Sequence, residues 1–430
     1  MSSLVVRVGL LGCGNVGASL VQMIASNGDA IAERAGVRLE ITQIAVCDLA
    51  KDRGLPTNAA VFTDNPAAVV GASDVDLVVE VMGGIEPART LILAALAAGK
   101  PVVTANKALL AAAGAELFAA AESGGVDLLF EASVGGGIPL MRPLRESLAG
   151  DRILRVTGIV NGTTNYILTR MTEAGQSFAD ALAEAQALGF AEADPTADVE
   201  AHDAAAKAAI IASIAFGAEV RDSDVYREGI TSITAADIEA ARELGYVVKL
   251  LAVAEERDGK VGVRVHPAMV PMQHPLASVR EAFNAVFIEG EATGEVMLYG
   301  RGAGGFPTAS AVLGDVIDAA KNLASGGRGA TIGKLVRREM LSMDGVVSQY
   351  YLELEAADRP GVLAVVADVF GRHAVSIESM QQRGIGEDAR LIFVTHSARE
   401  SDLRSTVEEL RETDAVHRVG SVLRVLGSGE

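Results

Sequence analysis

Asp203 and Lys207 lie four residues apart in ADPTADVEAHDAAAKAAIIASIAFG, a stretch that begins as a loop at residue 193 and continues as a helix. With Ile210 and Ile214 they recur at the spacing that keeps side chains on one helix face. A solvated Asp–Lys pair stabilises a helix by only about 0.2–0.5 kcal/mol. Here the neighbours Ala204, Ala205, Ala206, Ala208, Ala209, Ile211 and Phe216 leave the helix apolar nearly all round, the pattern of a buried helix. Buried charges persist where they pair or line a wet pocket. The pattern alone leaves a surface bridge and a site equally open.

Two further stretches could do chemistry. In VVRVGLLGCGNVGASLVQMIA, Gly12, Gly14 and Gly17 satisfy G-x-G-x-x-G, with Asn15 and Val16 between the last two glycines. An apolar strand precedes the motif and a helix follows it. The turn is tight, the backbone must approach a pyrophosphate closely, and the free N–H groups at the helix start suit an anion. In KPVVTANKALL, Thr104, Asn106 and Lys107 fall just beyond the carboxyl end of a strand, where ligands bind in open α/β sheets.

These groups need a scaffold, and the sequence supplies one. LEITQIAVCDL reads as a second strand ending in Asp48, the place where a dinucleotide-binding fold tests the ribose. Asp48 favours a free 2′-hydroxyl, whereas Lys51 and Arg53 are equally able to hold a 2′-phosphate, so NAD and NADP both stay open. DVDLVVEVMGG and KPVVTANKALL continue the βαβ rhythm around the helical EPARTLILAALAAG. After DLLFEASVGGGIPL the pattern changes to a second domain whose sheet is expected to pack helices on one face. GRGAGGFPTASAVLGDVIDAAKN is a glycine turn leading into a helix that folds back on the first domain, and LASGGRGATIGK reads as a linker. The expected division is 1–135 for dinucleotide binding, with 300–325 packing back on it, then 136–300 for substrate binding and dimerisation. A linker over 326–348 and a βαββαβ module over 349–430 complete it.

The chain has 430 residues, too many for one ordinary core. Half are hydrophobic, only 4% are aromatic, and there is no Trp. A formal charge of −19 argues against nucleic-acid or anionic-membrane partners and leaves a small molecule as the natural one. The two cysteines, Cys13 and Cys47, suggest no disulfide framework, which fits a reducing cytoplasm. No secretory signal is expected ahead of the first apolar run, and the Ala-rich stretches are interrupted well short of a membrane span.

The combination of LGCGNVG, VVTANKALL, FEASVGGGIPL, NGTTNYIL, AQALGFAEADPTADVEAHDAAAK and GAGGFPTASAVLGD resembles homoserine dehydrogenase of the form that carries a C-terminal ACT domain. The resemblance covers essentially the whole chain. It implies an α/β fold with an N-terminal Rossmann-type domain, an α+β substrate and dimerisation domain and an ACT domain. It further implies reversible NAD(P)H-dependent reduction of aspartate 4-semialdehyde to homoserine. By the same resemblance Lys207 is the proton donor, Lys107 stands against cofactor and substrate, and Glu192 and Asp203, with the Gly189 backbone, meet the substrate ammonium. Gly302 joins the cofactor set. A monovalent cation such as Na⁺ maps onto Glu131, Val134, Gly136 and Ile138, threonine onto the ACT turn at Pro360 and Gly361, and assembly onto a homodimer or homotetramer. Two positions depart from the family: Ala201 replaces a Gly and Cys47 an Arg. A helix begins nearby, so Ala201 is expected to be tolerated or to add up to about 1 kcal/mol; Cys47 weakens any phosphate-clamp argument for NADP. The competing readings are aspartate-semialdehyde dehydrogenase, which needs a thiol nucleophile, and a cofactor-sensing regulator without chemistry.

Overall fold

The computed structural model describes residues 4–56, 61–383 and 389–427. Its first layer is a sheet of β1 (Leu4–Leu11), β2 (Val37–Ala45), β3 (Phe62–Thr63), β4 (Leu77–Glu80), β5 (Val102–Thr104) and β6 (Leu128–Leu129). Their order is β3-β2-β1-β4-β5-β6, and every pair is parallel. The connecting helices are α1 (Asn15–Ala35), α2 (Pro66–Gly71), α3 (Ala88–Ala97) and α4 (Lys107–Gly124). Alternation along the strands divides the core: Val8, Leu10 and Val79 pack with α1, while Leu11, Val78 and Val102 pack with α2, α3 and α4. Both faces are thereby covered, which is why these strands read as continuous apolar runs.

The second layer begins with β7 (Ile153–Ile159), α5 (Gly162–Ala174), α6 (Phe178–Ala187), α7 (Thr196–Val199), α8 (His202–Phe216), β8 (Tyr226–Arg227) and α9 (Ala235–Glu243). It continues with β9 (Tyr246–Arg257), β10 (Lys260–Pro271), β11 (Phe283–Gly290) and β12 (Gly294–Arg301). Strand β7 pairs antiparallel with both β9 and β11. Leu250, Ala252 and Ala254 of β9 face α5, α8 and α9, while Leu251 and Val253 face the opposite side. Helix α10 (Gly305–Ala324) then returns to the first layer, where Val312, Leu313 and Val316 pack against α1.

The last segment runs β13 (Val347–Ala356), α11 (Val362–Arg372), β14 (Ile377–Arg383), β15 (Ala389–Thr395), β16 (Ala398–Arg399), α12 (Glu400–Glu412) and β17 (Val416–Val425). Apart from the two-residue β16, this is the βαββαβ order of an ACT domain. Two features differ from the sequence expectation. Strand β17 pairs with β10 at Ala268–Arg424 and Met269–Val425, so the second and third sheets are one continuous sheet. The stretch read as a linker is strapped down: Val336 donates a backbone hydrogen bond to Gly217, Leu341 donates to Val261, and Arg337 and Arg338 pair with Asp224 and Glu256. Its partners lie some eighty to one hundred and twenty residues earlier, so no local signal marks them.

Candidate active site

Lysine, aspartate and lysine come together from two layers. Asn106 caps α4, its side-chain oxygen accepting from the Leu109 N–H, and this places Lys107 as the first residue of the helix. Asp203 sits in the first turn of α8 and Lys207 one turn later. Lys107 Nζ lies 2.7 Å from Asp203 Oδ1, and Lys207 Nζ donates to Asp203 Oδ2 at 2.7 Å. Lys207 also donates to the Val160 carbonyl at 2.8 Å, at the end of β7. The stripe noted in the sequence therefore faces a crevice, with the Asp203 and Lys207 side chains nearly buried and Lys107 half-exposed.

Burial opposes the charged form of Lys107, but Asp203, Asp198 and Glu192 outweigh it and hold its pKa above the ordinary lysine value. Burial likewise opposes ionisation of Asp203, and the two ammonium groups reverse this, holding its carboxyl well below the usual range. The two lysines thus share one carboxylate instead of facing each other. Both line a cavity of about 280 Å³ that also touches Val16, Met82, Asn106 and Gly302.

The glycine turn borders the same cavity. Gly12 adopts φ 97°, and a Cβ there would stand 2.8 Å from the Val81 carbonyl; a Cβ on Gly17 would run into the Gly12 carbonyl. A Cβ on Gly14 would meet nothing within 4 Å, and no side chain caps the N-terminus of α1. The N–H groups of Asn15, Val16 and Gly17, ahead of the first helical bond from Ala18 to Gly14, are left for an anion in that open space, so these residues fit a dinucleotide. Arg53 reaches back from the second strand's end, donating to the Asp48 and Lys51 carbonyls at 2.8 Å each and lying against the Cys13 carbonyl and the Phe62 ring. The Asp48 carboxylate accepts from the Ala50 N–H within its own loop.

Other residues take places the sequence left undefined. Thr104 is fully buried: its hydroxyl donates to Glu80 at 2.6 Å and accepts from the Asn106 N–H. Glu80 also accepts from Met82 and Gly83, so Glu80, Thr104 and Asn106 form one chain that fixes the loop and helix start beside Lys107. Gly189 has φ 77° just after α6, and Glu192 is exposed in the loop beyond it, near enough to Lys107 to raise its pKa. The Glu131 carboxylate accepts from the N–H groups of Leu140, Met141 and Arg142, so it is tied into the chain. Among the described residues the carbonyls of Val134, Gly136 and Ile138 accept no hydrogen bond.

Two polar groups went unassigned in the sequence. Asp198 on α7 and Asn161 before α5 meet at 2.6 Å, and Asn161 also reaches Asp203 at 2.9 Å. Asp198 belonged to a visible set of spaced aspartates; Asn161 lies in ILRVTGIVNGTTNYIL, which reads as strand throughout, whereas β7 ends at Ile159 and α5 begins at Gly162, and nothing local joined the two residues across 37 positions. One expectation needs correction. Ala201 is not a helical residue: its φ of 65° and ψ of 17° are left-handed, a conformation that favours glycine. An alanine costs about 1–2 kcal/mol there. Burial of its methyl returns about 0.8 kcal/mol, and the unfolded chain's smaller entropy another 0.4–1 kcal/mol or so. Ala201 is tolerated for these reasons, with helix propensity playing no part.

The comparisons with known proteins agree along the chain. Residues 12–131 match the family model for the NAD-binding domain of homoserine dehydrogenase, 139–317 the model for homoserine dehydrogenase, and 350–415 that for the ACT domain. The chain is 52% identical to the homoserine dehydrogenase of Corynebacterium glutamicum, over 98% of this chain and 95% of that one. A homoserine dehydrogenase structure from Thiobacillus denitrificans superposes with a TM-score of 0.93 at 40% identity, covering 98% of both chains. A hyperthermophilic archaeal homoserine dehydrogenase mutant, determined with NADPH, does so with 0.62 at 30% identity, covering 74% of this chain and 98% of that one. The thiol-dependent alternative finds no support: burial pushes the Cys13 thiol up, away from the thiolate, and Cys47 is exposed at the end of the second strand. The chain belongs to the homoserine dehydrogenase family, as an NAD(P)-dependent oxidoreductase acting on the CH–OH group of homoserine.

Proposed function

We propose that Lys207 is the proton donor when aspartate 4-semialdehyde is reduced to homoserine. Bound NAD(P)H supplies the hydride. As the aldehyde carbon gains it, the C=O π pair moves onto oxygen, and that oxygen takes a proton from Nζ of Lys207. The observation that carries this reading is a count of hydrogens. An ammonium has three N–H donors; Lys207 gives one to Asp203 and one to Val160, and the third is left for the cavity. Lys107, held charged by Asp203, Asp198 and Glu192, stands at the cavity edge, where its charge supports the developing alkoxide. Glu192 and Asp203, with the Gly189 carbonyl, meet the substrate ammonium, and Asp198 adds a carboxylate to that side. The test is NAD(P)H absorbance with aspartate semialdehyde and no phosphate, comparing the parent with Lys207→Ala; near-parental turnover in the variant rejects the assignment.

The cofactor's phosphates are assigned to Gly12, Gly14, Asn15, Val16 and Gly17, with Gly302 across the cavity and Thr104 acting through Asn106. For the ribose, Asp48 and the absent Arg at position 47 support NAD(H) being used at least comparably to NADP(H). Lys51 and Arg53 are the groups that could reverse this. Measured kcat/KM ratios decide it: a preference for NADP(H) above about a hundredfold, roughly 2.7 kcal/mol, means that they grip the 2′-phosphate.

A Na⁺-like ion suits the carbonyls of Glu131, Val134, Gly136 and Ile138, since neutral oxygens hold a hard cation weakly. The freedom of the Val134, Gly136 and Ile138 carbonyls from other hydrogen bonds among the described residues supports this, while the Glu131 carboxylate, engaged by three N–H groups, leaves that residue only its carbonyl to offer. Threonine is assigned to the turn at Pro360 and Gly361, where a cavity of about 340 Å³ also touches Gln382. The assembly is taken as a homodimer or homotetramer, and the cell compartment as the cytoplasm.

A further inference from the structure

We infer that Asn161 is a positioning residue for the proton donor: its side-chain amide clamps Asp198 and Asp203 together, so that Asp203 stays aligned on Lys207. This rests on the reading of Lys207 given above.

Asn161 is 4% exposed and stands at the turn from β7 into α5. Its orientation is fixed by its own backbone neighbourhood. The Thr164 N–H can only donate, and it donates to Asn161 Oδ1 at 2.9 Å. The Nδ2 group must therefore point the other way, and its two hydrogens serve Asp198 Oδ1 at 2.6 Å and Asp203 Oδ2 at 2.9 Å. Each amide hydrogen has one acceptor, and each acceptor is a carboxylate.

Two carboxylates brought to one spot repel, and a neutral amide that gives each of them a donor holds them together without adding charge. The consequence reaches the lysine because Asp203 Oδ2 accepts from both Asn161 and Lys207. The residue before Asn161 supplies the other restraint, the Val160 carbonyl that accepts from Lys207. A single turn thus fixes two of the three ammonium hydrogens, one directly and one through Asp203, and leaves the third for the substrate oxygen. Asn161 itself touches neither lysine.

Asn161→Asp separates this role from helix capping. Asp caps a helix as well as Asn does, so the Thr164 contact survives, while both donors are lost and a third carboxylate arrives. Thermal melting and NAD(P)H binding should stay close to the parent. Homoserine kcat/KM should fall by about 10- to 100-fold, the size expected when a reacting group is misaligned. The acid limb of its pH profile should move up by about one unit, because one carboxyl now holds its proton to higher pH. Partial recovery at alkaline pH should follow. If Asn161→Asp does not fold, Asn161→Ser keeps a capping oxygen with one donor, and the same shift should appear at smaller size. A parental rate, or a lower rate with an unmoved acid limb, overturns the inference. Lys207→Ala run alongside keeps the two readings apart: an inactive Lys207→Ala with a parent-like Asn161→Asp rejects the clamp alone, and an active Lys207→Ala rejects the donor.

Discussion

The crevice and the seam between the second and third sheets each bury a charged group among carboxylates, and the two differ in the cation they hold. At the seam, Arg424 of β17 is nearly buried and gives Nε and Nη2 to Glu400 and Nη1 to Glu228, with its guanidinium over the Tyr226 ring. Tyr350 adds a hydrogen bond to Glu400 at 2.8 Å. Burial opposes the Arg424 charge, and the two glutamates more than restore it. In the crevice, two ammonium groups share Asp203, and one Lys207 hydrogen is left over. A guanidinium keeps its protons at any working pH and so holds elements together, whereas an ammonium with a hydrogen facing a cavity can give a proton away. Burial and charge alone do not tell the two apart.

Removing Lys207 should sharpen that contrast most. Lys207→Ala is expected to lower turnover by about 10²–10⁴-fold with NAD(P)H binding largely kept. Single-turnover absorbance checks the first and fluorescence titration the second. The opposite behaviour is expected at the seam. Arg424→Met leaves the partly exposed Glu228 and Glu400 without their cation, which should cost about 1.5–3 kcal/mol of stability, while turnover at low temperature stays within about threefold of the parent. A large rate loss with an unchanged denaturation midpoint would remove the distinction between the clusters. Glu192→Gln should act on binding, raising the homoserine KM by about tenfold, or roughly 1.4 kcal/mol, with little change in kcat; an unmoved KM dissociates Glu192 from the ammonium. The smallest effect belongs to Ala201→Gly, where opposing contributions leave a net change under about 1 kcal/mol by denaturant titration. A large gain would mean that left-handed strain at Ala201 is far from offset.

Legibility followed the range of the interactions. The glycine turn, the parallel strands and the α8 stripe were readable because each depends on residues within one or two turns of chain. The sense of the stripe was not: the pattern alone left a surface bridge and a site equally open, and the family resemblance turned it toward a pocket. The partner of that pair was named from family resemblance, since Lys107 lies 96 positions before Asp203 and no periodicity links them. Ala201 was misread because its neighbour begins a helix, whereas its own φ is set by the close turn from α7 into α8. The strap over residues 336–341 looked like a linker because its backbone partners, Gly217 and Val261, are remote.

The sequence by itself determined the parallel strands around the dinucleotide turn and that α8 is apolar enough to be buried, but it took the start of α5 for strand. Periodicity and glycine placement act locally, so they survive without coordinates. The tertiary structure decided which donors are already spent. Only there do the Val160 carbonyl, the Asn161 amide and the Asp203 carboxylate meet around Lys207, and only there does β17 join β10 into one sheet. Hydrogen-bond satisfaction depends on what the folded chain brings within about 3 Å, and spacing along the chain does not encode that.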